Sequence, residues 1–337
     1  MRVARPNSKT NTPAASGARA KSRTYGRSGN PARAAVTGPV AAAPGRVTWR
    51  DWVAGARLRT LPLAISPVAL GTGAGAVAVV DGAWHPTRFA LALVVALALQ
   101  IGVNYANDYS DGIRGTDAHR VGPARLTGSG RVNPKHVLAV ALAFFAVAAV
   151  AGLALTIITQ QWWLLAVGAV AIVAAWFYTG GKRPYGYFGL GELFVFVFFG
   201  LVATAGSAFV QALWVNLEAW LGGVGLGLIA CAVLMANNLR DVTQDRAAGK
   251  RTLAVLVGPV AGRVLFCLFL LLPFVIVVFW SLLYPTAVLV LFALLAAIPA
   301  CLIVAMGRTP RDLIIALQLA SVTSLVYGIG LGLVFAL

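Results

Sequence analysis

Acidic residues are scarce in this sequence. Ten of its 337 residues are Asp or Glu, against 27 Lys and Arg. Charged residues of both signs make up 11% of the chain and hydrophobic ones 59%, where a soluble domain carries roughly 25% charge. So little charge excludes a water-soluble globule, and lipid must cover the apolar excess. Cysteine is scarce too. Cys231, Cys267 and Cys301 all fall inside apolar runs, which excludes an extracellular disulfide framework and any metal-ligand spacing. They read as small buried hydrophobes. Residues 1–46 lack an apolar run, which excludes the core of a secretory signal. Their Arg, Ala, Ser, Pro and Gly read as a disordered basic tail beside anionic lipid. Pro and Gly there would break the amphipathic helix of a transit peptide. Tyr25 is the tail's sole aromatic, so the positive excess does not point to nucleic acid.

What the chain does have is long apolar runs. About 20 apolar residues cross a bilayer as a helix. Nine such stretches can be marked: 60–80, 88–107, 136–158, 162–180, 188–211, 219–238, 262–283, 285–306 and 312–336. Segment 47–59, with Trp49, Trp52, Arg57 and Arg59, reads as an interfacial lead-in. The expected fold is all-α, a polytopic membrane bundle of about nine transmembrane helices. The tail and the loops after spans 2, 4, 6 and 8 hold 26 of the 27 basic residues, and the alternate loops hold only Arg88. The positive-inside rule then places the N-terminus in the cytoplasm and the C-terminus outside, in the plasma membrane. Trp84, Trp162, Trp163, Trp214, Trp220 and Trp280 cluster at the outer loops as an aromatic belt.

Against this background, two segments concentrate acid: NYANDYSDGIRGTD (104–117) and NNLRDVTQD (237–245) hold five of the ten Asp and Glu residues. They end spans 2 and 6. Asn104, Asn107 or Asp108, and Asp111 fall at helical spacing, as do Asn237 or Asn238, Asp241 and Asp245, so each set shares one helix face. Both sit at helix C-terminal ends, where the dipole favours cations. Carboxylates this close repel unless something positive lies between them. All-oxygen donors without His or Cys suit Mg²⁺, which keeps waters and substrate phosphates in its shell, and not zinc. Two such faces with metal between them would bind a diphosphate. Arg125, Arg131, Lys182, Arg183, Lys250 and Arg251 rim the same side and could neutralise a phosphate leaving group. The similar layout of the two segments hints at a repeat that sets both acidic edges across one central cavity. An ion-coupled transporter is the rival class, but it would favour acids near mid-membrane over acids at span ends.

These phrases resemble those of the UbiA-type intramembrane aromatic prenyltransferases. The resemblance rests on the nine spans, on ARLRTLPLAISPVALGTG (56–73), on NYANDYSDGIRGTD with RVGPARLTGSG (120–130), and on NNLRDVTQDRAAGKRTLAVLVG (237–258). It covers residue 47 to the end and implies one transmembrane prenyltransferase domain, 47–337. Gly115-Thr116-Asp117 and the Asn-Asn-x-Arg-Asp phrase point to the naphthoate branch. Many relatives carry a third aspartate where Gly115 stands here, and Asp117 follows two residues later.

The resemblance implies a polyprenyl diphosphate donor held by Mg²⁺, and an aromatic acceptor, 1,4-dihydroxy-2-naphthoate, prenylated with loss of CO₂ in menaquinone synthesis. Hydroxybenzoate, homogentisate, haem and chlorophyllide are the acceptors of sibling enzymes. Asp108 and Asp111 would hold one metal and Asp241 and Asp245 the other, with Asp117 a further candidate ligand. Asn104, Asn107 and Asn238 would orient water or phosphate, and Arg125, Lys182, Arg183 and Lys250 would hold the departing diphosphate. Tyr105, Tyr109, Phe177 and Tyr178 are candidates to shield an allylic cation. Glu192, a rare acid inside span 5, is expected either to function in the membrane or to pair with Lys182 or Arg183. The site would lie on the cytoplasmic side.

Overall fold

The computed structural model describes residues 47–79, 84–115 and 125–337. The basic tail 1–46 and Asp117 lie outside them. The described residues belong to one compact unit, Pro44–Leu337, in which regular structure is wholly helical.

All nine apolar stretches are helical, but they do not all cross alike. A short helix α1 (Trp49–Gly55) and a 3₁₀ turn (Leu58–Thr60) lead into α2 (Pro62–Val77). The two parts meet at a 48° bend. Between α1 and the 3₁₀ turn, Arg57 takes a left-handed backbone, with φ of 55°, an uncommon state for a side-chain-bearing residue. Seven helices are long and apolar enough to span a bilayer: α3 (Pro86–Ile113), α4 (Pro134–Thr159), α6 (Gly191–Ala212), α7 (Leu217–Ala247), α8 (Leu253–Ser281), α9 (Pro285–Met306) and α10 (Pro310–Ala336). Helix α5 (Leu164–Phe177) has 14 residues, or about 21 Å, short of a hydrocarbon core about 30 Å thick.

Local sequence explains the helix starts. Asn133 accepts from the Lys135 N–H at 3.0 Å to open α4, and Asn216 accepts from that of Ala219 at 3.3 Å to open α7. Thr309 and Asp312 form a capping box at α10, which satisfies N–H groups that a helix start leaves free. At the expected outer side, Arg88 donates to the carbonyls of Val210 and Gln211 at 2.9 and 3.2 Å. The one basic residue of those loops thus caps the C-terminal end of α6, where the dipole favours a cation.

Helix α2 is wedged between α6 and α10, and small residues allow it. A Cβ on Gly73 would sit 1.9 Å from the Gly332 carbonyl of α10, and one on Gly71 would sit 2.2 Å from the Thr204 carbonyl of α6. Close backbone approach of this kind is the usual basis of helix packing in lipid. The middle of α6, Phe196–Val202, winds as a π-helix. It lies where Gly200 meets Gly223 and Gly227 of α7. The π turns help to set Phe198 and Phe199 along an interior cavity.

Candidate active site

The ends of α3 and α7 extend past the expected spans, to Ile113 and Ala247. The helices therefore carry both acidic segments in regular turns. Asn104, Asn107, Asp108 and Asp111 of α3 line one cavity together with Asn237, Asn238, Asp241 and Asp245 of α7. The cavity holds about 790 Å³, within the range of small-molecule sites. Beyond its polar end it is apolar, and it reaches Ala92, Leu155, Leu164 and Val210. Along α3, Ala92 to Asp111 is a rise of about 28 Å. A long hydrocarbon chain fits this shape.

Asp111 is the centre of the α3 end. Its carboxylate meets Arg125 Nη1 at 2.7 Å and Lys250 Nζ at 3.1 Å, and it accepts from the Tyr187 hydroxyl at 2.5 Å. Lys250 also lies over the Tyr187 ring, 4.6 Å from its centre. Arg114 crosses the same ring at 5.6 Å and donates to the carbonyls of Thr179 and Gly181. Thr179 in turn donates to Asn107 Oδ1 at 2.6 Å. Three residues distant in sequence, Arg125, Tyr187 and Lys250, are thus tied to one carboxylate.

Asp108 has a different task. Its two oxygens accept from the backbone N–H groups of Leu126 and Thr127, at 2.8 and 3.0 Å. It fixes the strap that returns after residue 124, and so places Arg125. Arg131, further along the strap, forks onto Asp51 of α1 with both contacts at 3.0 Å. Asn104 donates to the Ala56 carbonyl at 3.1 Å, which fastens the lead-in to α3, so its amide nitrogen is already committed.

At the α7 end, Arg240 forks onto Asp241 through Nε and Nη2, at 2.8 and 2.6 Å, and its Nη2 reaches Asn237 Oδ1 at 2.8 Å. Gln244 Oε1 and Thr252 Oγ1 are buried without hydrogen-bond partners, and both residues line the cavity.

Lys182 and Arg183 are exposed and do not border the cavity, whereas Arg125 and Lys250 do. Of the four aromatics expected at a cation, only Tyr178 lines the cavity. Tyr105 donates to the Trp52 carbonyl at 2.5 Å, Tyr109 packs on Trp176, and Phe177 is exposed. The aromatic wall is instead a ladder. Tyr178 meets Tyr185 edge-on with centroids 5.5 Å apart, Tyr185 stacks on Phe194 at 3.9 Å, and Phe194 on Phe198 at 6.1 Å. Tyr185 donates to the Ala174 carbonyl at 2.9 Å, and burial raises its phenol above its usual range. Sequence reasoning missed this ladder, along with Tyr187, Arg240 and Gln244. The aromatic cluster YGYFGLGELFVFVFF at 185–199 was the available clue.

Among the described residues, no group of three or more His, Cys, Asp or Glu comes together to hold a metal alone. The donors at the polar end still fit Mg²⁺. They are all oxygen, with one or two carboxylates on each side, and Gln244 adds an orphaned buried oxygen. That suits a cation whose remaining ligands are water and substrate phosphate.

The model of the UbiA prenyltransferase family matches residues 66–335. The chain belongs to that family. It is 48% identical over 285 residues to a Mycobacterium tuberculosis protein named 1,4-dihydroxy-2-naphthoate octaprenyltransferase, covering 84% of this chain and 95% of that one. It is 38% identical over 218 residues to an Escherichia coli protein of the same name, covering 63% and 70%. In fold it is similar to a UbiA homolog from Aeropyrum pernix K1, with a TM-score of 0.61 and 16% identity, covering 84% of this chain and 98% of that one. A homolog from Archaeoglobus fulgidus, described as bound to GPP and Mg²⁺, gives 0.58 at 14% identity, covering 83% and 99%. Family membership thus agrees with the all-helical membrane bundle.

Proposed function

We propose that this cavity transfers a polyprenyl group from polyprenyl diphosphate to 1,4-dihydroxy-2-naphthoate, releasing diphosphate and CO₂ and forming demethylmenaquinol in menaquinone biosynthesis. The observation that carries the reading is the joining of two acidic helix ends to one long apolar cavity. The names of the relatives supply the acceptor.

Mg²⁺ would be held by oxygens of Asn107, Asp111, Asn238, Asp241, Asp245 and Gln244, and it would neutralise charge on the departing diphosphate. Arg125 and Lys250, beside Asp111, are placed to receive that charge as well. As the donor's C–O bond breaks, its electron pair goes to diphosphate and the first prenyl carbon becomes cationic. Tyr185, Phe194 and Phe198 line the cavity and would exclude water from such a cation. The ring carbon that bears the carboxylate forms the new C–C bond. CO₂ then leaves, and its bonding pair restores the ring, so no ring proton has to be removed. Arg50, Arg57 and Arg59 border the cavity and suit the acceptor's carboxylate before it is lost. Asp108 acts through the strap.

In this reading residues 47–337 are the catalytic domain. The site faces the cytoplasm of a bacterial plasma membrane, with the N-terminus on the same side. The test is to incubate purified protein with dihydroxynaphthoate, a polyprenyl diphosphate and Mg²⁺, and to weigh the product. The expected mass is that of the acceptor plus the prenyl group less CO₂. Product from hydroxybenzoate or homogentisate alone would overturn the naphthoate assignment.

A further inference from the structure

Glu192 stands in the first turn of α6 and is only 5% exposed. One carboxyl oxygen, Oε1, accepts from Asn238 Nδ2 at 2.9 Å. The other, Oε2, is buried without a hydrogen-bond partner. No ion pair reaches Glu192 among the described residues. Lys182 and Arg183, its expected partners, are exposed. Cys231 of α7 donates its thiol to the Glu192 carbonyl at 3.1 Å, so α7 grips this residue at two points. An acid buried in a membrane protein without a counter-charge is costly, and simple packing could be met by an apolar residue.

Glu192 does not border the cavity, whereas Asn238 does. We propose that Glu192 is the positioning residue that locks the Asn238 amide so that its oxygen faces the cavity. An amide has a donor side and an acceptor side, and its neighbours decide which way it turns. Oε1 accepts the Nδ2 hydrogen, so Nδ2 is committed to Glu192 and Oδ1 is left for the cavity. Asn238 lies three residues before Asp241, on the same helix face. Its fixed oxygen therefore joins the carboxylate as a cation ligand. Without Glu192 the amide can flip and present hydrogens to a cation instead. This inference rests on the prenyl-transfer reading.

The experiment is a double-mutant cycle read two ways: calorimetric binding of geranyl diphosphate with Mg²⁺, and kcat for prenyl transfer. Glu192→Leu and Asn238→Ala are each expected to weaken donor binding about tenfold, the effect of losing one good polar contact. The double variant is expected to be no worse than either single one, because the two residues act as a unit. Glu192→Gln keeps an acceptor oxygen and is expected within about threefold of the wild type. Additive losses, an unchanged Glu192→Leu, or a Glu192→Gln as weak as Glu192→Leu would overturn the proposal. If Glu192→Leu does not fold, Asn238→Asp serves in its place. It sets two carboxyls face to face and should bind the donor poorly. Adding Glu192→Gln supplies a donor N–H and should restore binding, and failure to restore it also overturns the proposal. Donor binding is read without acceptor, so a wrong naphthoate assignment would appear in the product assay and in kcat and leave the binding cycle intact.

Discussion

The two acidic helix ends look alike in sequence and are held in different ways. At the end of α3, Asp111 is gripped by Arg125, Lys250 and Tyr187, and Asp108 spends both oxygens on the strap. At the end of α7, Asp241 is forked by Arg240, its neighbour in the chain, and Gln244 leaves a buried oxygen without a partner. The α3 end therefore organises the structure around it as well as facing the cavity. The α7 end holds Asp241 from within its own helix and brings the Gln244 oxygen to the cavity. Similar motifs on one cavity can divide architecture and ligation between them.

Substitutions can break or sharpen that contrast. Asp241→Asn strands the buried Arg240 and Asp111→Asn strands two cations, so both should abolish turnover and Asp111→Asn should destabilise the protein more. It leaves Arg125 and Lys250 buried beside a neutral amide, a loss of about 3–5 kcal/mol by analogy with broken buried pairs. Thermal unfolding in detergent measures this, and equal Tm losses for the two variants would erase the distinction. Asp108→Ala orphans two buried N–H groups, at about 1–3 kcal/mol each. It should lower both Tm and kcat, because Arg125 loses its mount, and a lower kcat with an unchanged Tm would return Asp108 to direct ligation. Arg240→Lys loses the planar fork on Asp241. It should shift the Mg²⁺ dependence of the rate about tenfold with little change in Tm. Lys182→Ala and Arg183→Ala, outside the cavity, should change kcat less than about twofold, as exposed substitutions usually do. A larger loss would place them at the diphosphate after all.

Much of this molecule was legible in its residues. The nine apolar stretches are where the helices are, because a bilayer demands long apolar runs whatever their neighbours. Asn107, Asp111, Asn238 and Asp241 share cavity faces because helical spacing is local. The left-handed backbone of Arg57 escaped notice, since no composition marks it. The brevity of α5 was hidden because the Tyr178-Thr179-Gly180 turn after it continues the mixed apolar pattern. Lys182 and Arg183 were drawn into the site as basic residues of a loop on the acidic side, but they follow Gly181, which has positive φ, and are exposed outside the cavity.

By itself the sequence determined that the chain lives in lipid, where its helices run, and that two of them end in oxygen-rich segments. Hydrophobic run length and a period of 3.6 residues are enough for that. Only the tertiary structure decided which charges meet. Arg125 lies 14 residues from Asp111 and Tyr187 lies 76 away, so their meeting at one carboxylate depends on how α3, the strap and the turn before α6 pack. Coulomb attraction and hydrogen bonding act over a few ångströms of space, and distance along the chain does not reveal that space until the helices have closed.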